Sequence, residues 1–213
     1  MGTYNKGILG AFSGKVGSVV GSSWRGQDVM RSLPRKSGRI PTEVQRLQRL
    51  RFSTVSTLLT PIHPILSRYY GGNTTDKTRN NQATSYHLKE ALNYVAPNME
   101  VLYDKIQISK GDLIGLQTAT VAAAAATSID LTWVDNSGQG QALDTDQLVV
   151  AVYEPLSKAW FYSLNLATRK DVTANMPLPT YLTGLDVYVY AMFAATDEKQ
   201  YATSLYLGKI VLT

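Results

Sequence analysis

Residues able to do chemistry are sparse in this chain, and their spacing excludes more than it supports. Gly10 and Gly14 precede Lys15 in Gly10-Ala11-Phe12-Ser13-Gly14-Lys15-Val16. A phosphate-cradling loop needs four residues between its glycines and a hydroxyl after Gly-Lys, so that amides hold phosphate and the hydroxyl holds Mg²⁺. Here only Ala11, Phe12 and Ser13 intervene and Val16 follows the lysine, so nucleotide binding is not expected. Cysteine is absent, which removes thiolate nucleophiles, iron–sulfur ligation, disulfide frameworks and cysteine zinc sites together. His63 and His87 are the chain's histidines. Neither has a carboxylate at triad-like spacing and no Gly-x-Ser-x-Gly elbow occurs, so both read as surface or capping residues. Asp144 and Asp146, with Asp135 and Asn136 before them, offer oxygen ligands of the kind a hard cation takes. They lack the calcium-hand order and its closing glutamate, and ordinary turn chemistry accounts for them. We therefore expect no catalytic residue, no resident metal and no cofactor.

Two other constellations concern binding. Trp133, Trp160, Tyr188 and Tyr190 could form an aromatic row for stacking on sugars, although cross-strand packing or a subunit contact explains them more simply. The basic cluster is more informative: Arg25, Arg31, Arg35, Lys36, Arg39, Arg46, Arg49 and Arg51 crowd into one short segment. Arginine in such density suits phosphate backbones or acidic protein grooves, through bidentate charge-assisted bonds. No helix-turn-helix, zinc-finger or basic-zipper pattern accompanies it, so sequence-specific DNA reading is not expected.

The elements that must position these residues fall into two regimes. Residues 1–40 are glycine-rich, and extended runs are expected over about 14–22 and 25–33 around a turn near Ser22–Gly26. A lone hairpin is marginal in water, so this arm needs a surface to lie on. Pro34 to Pro41 is a basic link. Thr42-Glu43-Val44-Gln45 then fits a capping box ahead of a helix to about Leu59, with Val44, Leu47, Val55, Leu58 and Leu59 as its apolar stripe. Pro61 and Pro64 are expected to stop it. A second helix is expected over Arg79–Val95, where Leu88, Ala91, Leu92 and Val95 recur at helical spacing.

From about residue 100 the period becomes two. Strands are expected at 101–109, 113–120, 128–134, 147–154, 159–166, 171–176, 185–195 and 201–212. Ala122–Ala126 is read as extended despite its helix propensity. Short alternating runs with regular turn signals indicate a β-sandwich. The domain reading is a basic arm, hairpin and two helices over 1–99, then a sandwich over 100–213.

Charge sharpens that division. The chain has 213 residues and a net charge of +5. Residues 1–52 carry three Lys and seven Arg against Asp28 and Glu43, a net of +8, which leaves −3 for the remainder. Such asymmetry points to an arm that meets a polyanion or an acidic protein surface. No run of about eighteen apolar residues occurs, and the beginning of the chain has neither a secretory core nor a myristoylation signal, so a cytoplasmic protein without a membrane partner is expected.

Residues 116–213 resemble a fibronectin type III or immunoglobulin-like sandwich. Ser128-Ile129-Asp130-Leu131-Thr132-Trp133 is similar to that fold's second strand with its inward tryptophan. Leu185-Asp186-Val187-Tyr188-Val189-Tyr190-Ala191 is similar to its sixth, and Tyr201–Leu212 to its last. The chain departs at the corner, where Pro179-Thr180-Tyr181 is followed by Leu-Thr-Gly and the tyrosine-corner spacing is not kept. The whole chain also resembles an uncharacterised family of Bacteroidota proteins of similar length. The features carrying that likeness are Met1-Gly2-Thr3, Gly14-Lys15-Val16-Gly17, Trp24 and Arg31-Ser32-Leu33-Pro34-Arg35-Lys36. The helix with Pro41-Thr42, Gln45, Gln48-Arg49 and Phe52 resembles one in prophage virion-associated proteins.

This resemblance implies a non-enzymatic structural protein of a phage or prophage-derived particle, in capsid, neck or tail, made in the cytoplasm and carried in the virion. Its partners would be other structural proteins of the assembly, with homo-oligomer formation. The residues expected to dock are Lys15, Trp24, Arg25, Arg31, Arg35, Lys36, Arg39, Arg46 and Arg49. The alternatives are a bacterial protein contacting nucleic acid non-specifically through the same cations, and a carbohydrate-binding module built on the aromatic row.

Overall fold

Turn chemistry shapes the first forty residues. A computed structural model describes residues 2–4, 11–24, 27–34, 38–72, 77–125 and 127–212, and the chain divides into two compact units, Met1–Thr42 and Glu43–Thr213. The first unit is a meander of β1 (Gly2–Tyr4), β2 (Phe12–Val16), β3 (Val19–Trp24) and β4 (Gln27–Ser32), antiparallel in that order. The run expected over 14–22 breaks at Gly17–Ser18. Gly17 takes a φ of +58° there, a conformation glycine reaches without the steric cost a Cβ would add, and a two-residue turn results. Gly21 is the one buried residue among those described in this unit. Phe12 lies over it, and a Cβ at position 21 would stand 2.1 Å from the Phe12 carbonyl oxygen.

In the second unit α1 (Glu43–Leu59) leads through a helical turn at Thr60–Ile62 into α2 (His63–Tyr69). α1 ends at Leu59 ahead of Pro61 and Pro64, as expected, but the chain beyond it stays helical. Each proline falls within the first two positions of a new helical turn, where a missing N–H leaves no hydrogen bond unmade. Next, α3 (Arg79–Glu90) begins at Thr78, whose hydroxyl accepts from the Asn81 amide. It ends at Glu90 rather than Val95, because β5 (Leu92–Val95) folds back on β6 (Asn98–Val101). Pro97 biases Ala96 away from helical geometry, and β-forming Tyr94 and Val95 pair across the hairpin. The strand expected over 101–109 is absent. Tyr103–Lys105 is a 3₁₀ turn, and the following amides go to side chains, Gln107 to His87 and Ile108 to Ser204.

The sandwich follows as β7 (Gln117–Ala124), β8 (Ser128–Val134), β9 (Gln147–Glu154), β10 (Ala159–Ser163), β11 (Thr173–Pro177), β12 (Asp186–Ala194) and β13 (Leu205–Val211). The sheets run β10-β9-β12-β13 and β11-β8-β7. The alanine run is extended through Ala124 within β7, and Ala126 lies outside the described residues. Between the sheets, Ile129, Leu131 and Trp133 from β8 meet Val150 and Val152 from β9 and Val189 and Phe193 from β12. This is a mainly β fold with an α-helical N-terminal part, and its sandwich is of the fibronectin-III or immunoglobulin type.

A second core lies on the opposite face of the four-stranded sheet. Val149, Ala151, Tyr153, Trp160, Tyr190 and Met192 face Val55, Leu58, Ile62, Ile65 and Leu66 of the helical segment. Both faces of β9 and β12 are therefore buried. The division between compact units accordingly falls at Thr42/Glu43, not at 99/100, because the helices share their core with the sheet.

Candidate functional site

Strand register decides which of the candidate residues meet. In the first unit Lys15 pairs with Val20 and Val20 with Arg31, while Ser22 pairs with Val29 and Trp24 with Gln27. Directly paired residues share a face, and alternate residues along a strand return to it. Lys15, Val20, Trp24, Val29 and Arg31 therefore occupy one side of the sheet. Lys15 and Arg31 are exposed, and the Trp24 indole is 60% exposed beside them. Arg39 is exposed in the link, and Arg46 and Arg49 are exposed on α1. Arg25, Arg35 and Lys36 lie outside the described residues. The Gly14-Lys15 step sits within β2 and no helix follows it, consistent with an extended reading rather than a phosphate loop.

Three residues of the aromatic row lie in the core, and the fourth, Tyr188, is half-buried with its ring stacked on Tyr103. Trp133, Trp160 and Tyr190 are buried. Trp133 is in the inter-sheet core, and its Nε1 donates to the Arg169 carbonyl at 2.8 Å. Trp160 and Tyr190 lie under the helices, donating to the carbonyls of Leu58 and Tyr103, each at 2.8 Å. The helical layer covers this face of the sheet, a cover that strand alternation alone does not reveal.

The histidines differ from each other. His63 is exposed and its Nε2 accepts from the Asn80 amide at 2.8 Å. His87 is a core residue rather than a surface one: fully buried, with Nδ1 at 2.8 Å from the Ala83 carbonyl and Nε2 accepting from the Gln107 amide. These partners require the neutral ring with its proton on Nδ1. Burial pulls its pKa down to about 4, against a smaller opposing contribution from the Ala83 bond.

The acidic loop holds the arrangement that sequence reasoning missed. Asp146 and Asn136 are buried because Arg169 is buried with them. Arg169 donates through Nε and Nη2 to Asp146 Oδ2 at 3.1 and 2.9 Å, through Nη1 to Asn136 Oδ1, and through Nη2 to the Ile114 carbonyl at 2.9 Å. Its guanidinium lies 4.0 Å from the centre of the Phe193 ring. Asp146 Oδ2 also accepts from the Leu143 amide at 3.0 Å. One cation thus ties together the 135–146 loop, the lead into β7 and the turn before β11. Asp135 and Asp171 stay exposed. Amide and side-chain bonds from Ser137 and Thr168 respectively hold their pKa values below the usual carboxylate range. Among the described residues no group of three or more acidic or histidine side chains could hold a metal ion.

The fold and the arm define a β-sandwich protein with a helical layer on one sheet, preceded in sequence by a basic, glycine-rich strand meander. A family model matches residues 11–208, and the chain belongs to that family, the family of unknown function DUF6266. No curated protein matches it. Among solved structures it is similar to the fn3 domain of human contactin 1, at 6% identity, covering 49% of this chain and 83% of that one, with a TM-score of 0.34. No helix among the described residues is long and apolar enough to cross a membrane.

Proposed function

We propose that this is a non-enzymatic structural protein of an assembly, a component of a phage or prophage-derived particle, fastened to its neighbours through the basic N-terminal arm. The observation that carries this reading is the arm's sheet. Strands β2, β3 and β4 bring Lys15, Trp24 and Arg31 onto one face, while Gly21 is the sheet's single buried residue among those described. Strands with no buried face gain stability only against another surface. A face that mixes arginine, an exposed tryptophan and aliphatic side chains has the composition of an interface anchor. The partners are other structural proteins of the assembly, further copies of this chain included. The protein is made in the cytoplasm and ends in the particle.

The net charge of +8 over residues 1–52 favours a second reading, non-specific contact with nucleic acid. Trp24→Ala set against a Lys15→Ala, Arg31→Ala, Arg39→Ala triple separates the two, scored by light scattering for assembly and by DNA retention across a salt series. We expect Trp24→Ala to abolish assembly, since an indole fills an interface core and adds little to a phosphate contact. Normal assembly in both variants would reject the anchor. It would establish the nucleic-acid reading if the triple also lowers the salt slope of DNA binding by roughly three units.

A further inference from the structure

The apolar stripe of α1 runs beyond its core. Val55, Leu58 and Leu59 are buried, and Val44, Leu47 and Phe52 precede them at spacings of three, seven or eleven residues, which return to the same helix face. Yet Val44 is 69% and Phe52 57% exposed. The same segment exposes Arg46 and Arg49 against Glu43 alone. The first turns of α1 are therefore an apolar and cationic overhang.

The opposite combination lies at the end of the sandwich organised by Arg169. Leu143 is 59% exposed, and Val134 and Val172 are exposed with it. Asp135, Asp144 and Asp171 are exposed among them, against Lys170 alone. The segments are joined directly: the Trp133 amide donates to the Val172 carbonyl at 3.0 Å and the Lys170 amide to the Asp144 carbonyl at 3.3 Å. The buried Arg169–Asp146 pair fixes that end, so an incoming partner need not order it.

We propose that the α1 overhang of one copy docks on the Asp135–Asp144–Asp171 end of a second copy, apolar against apolar and guanidinium against carboxylate. Two different patches of one chain meeting in this way give a heterologous, head-to-tail contact, which builds a ring if the rotation closes and a filament if it does not. The inference rests on the assembly reading only in taking further copies of this chain as partner.

The test uses the full chain and sedimentation velocity. Wild type should self-associate, and Arg46→Glu with Arg49→Glu, or Asp144→Lys, should each give monomers. Mixing those two charge-reversed variants should restore the larger species, because each reversed patch then faces its complement. Leu143→Glu is a second probe of the acidic end, and melting curves confirm that each variant is folded. Self-association that survives both reversals but is lost on Trp24→Ala would overturn this interface and leave the arm as the anchor. Loss on the reversals with restoration on mixing, and no effect of Trp24→Ala, would establish the interface and reject the arm. A wild type monomeric at every concentration would overturn both.

Discussion

Replacing Arg169 with Met removes the guanidinium, and with it the contact over the Phe193 ring, while keeping an aliphatic stem. The Asp146 carboxylate is then buried with its Leu143 amide contact and no cation, while Asn136 Oδ1 and the Ile114 carbonyl each lose a donor. Breaking one side of a buried ion pair costs roughly 3–5 kcal/mol, since the remaining charge keeps its desolvation penalty and loses its compensation. At roughly 2–4 °C per kcal/mol for a chain of this size, Tm should drop by about 6 to 20 °C. Asp146→Leu alone should cost a similar amount, because it leaves the arginine unpaired. The double variant removes both charges and should be more stable than the sum of the single losses implies. Its residual cost of about 1–3 kcal/mol comes from the Asn136 and Ile114 acceptors and the Leu143 amide, each left without its partner. Urea titration of wild type, both singles and the double closes a thermodynamic cycle. A Tm within roughly 2 °C of wild type for Arg169→Met, or strict additivity in the cycle, would refute the argument that this pair holds the loop end together.

Three further outcomes follow from the same geometry. His87 is neutral in folded and unfolded chains above pH 6.5. Below that the unfolded chain takes up a proton that the folded ring, with its pKa at about 4, does not. Stability should therefore fall between pH 6.5 and 4 by up to about 3 kcal/mol, and His87→Gln should flatten that part of a urea-midpoint-versus-pH curve. Trp133→Ala should cost about 3–5 kcal/mol, read by chemical denaturation; a near-unchanged midpoint would contradict its place in the inter-sheet core. Residues 43–213 should melt cooperatively on their own, whereas 100–213 should bind a hydrophobic dye and aggregate, because Val149, Ala151, Tyr190 and Met192 lose their helical cover. A soluble, cooperatively melting 100–213 fragment would show that the second core is dispensable.

Much of the sandwich was legible because its strands obey local rules. Strands β8 and β9 match the expected 128–134 and 147–154, and β8 alternates because only one of its faces is covered. The helical cover of the second face also has a signal in the sequence. Leu148-Val149-Val150-Ala151-Val152-Tyr153 is an unbroken apolar run, the pattern of a strand buried on both sides, and it contradicts any solvent-facing neighbour on β12. Pro61 and Pro64 marked the end of α1 at Leu59, yet each also fits the start of a new helical turn, and sequence alone does not say that one follows. Val95 misled because a helical spacing of apolar residues was satisfied by chance next to a hairpin.

The arm and the Arg169 cluster show the same limit from opposite sides. Glycine spacing and charge announce the arm, since both act within a few residues, and pairing through Gly17 and Gly21 then carries Lys15, Trp24 and Arg31 to one face. Arg169 gave no such notice. Thr168-Arg169-Lys170-Asp171 reads as a solvated turn, and Asp171 does close a capping box there with Thr168. The arginine turns inward because Asp146, Asn136 and the Ile114 carbonyl converge from segments 23, 33 and 55 residues away. Burying a guanidinium is tolerable only when nearly every donor finds an acceptor, a condition that exists after the sheets have paired and not before. A residue whose local sequence calls for solvent and whose fold supplies a buried carboxylate is thus the one that shapes the exposed acidic end of the sandwich.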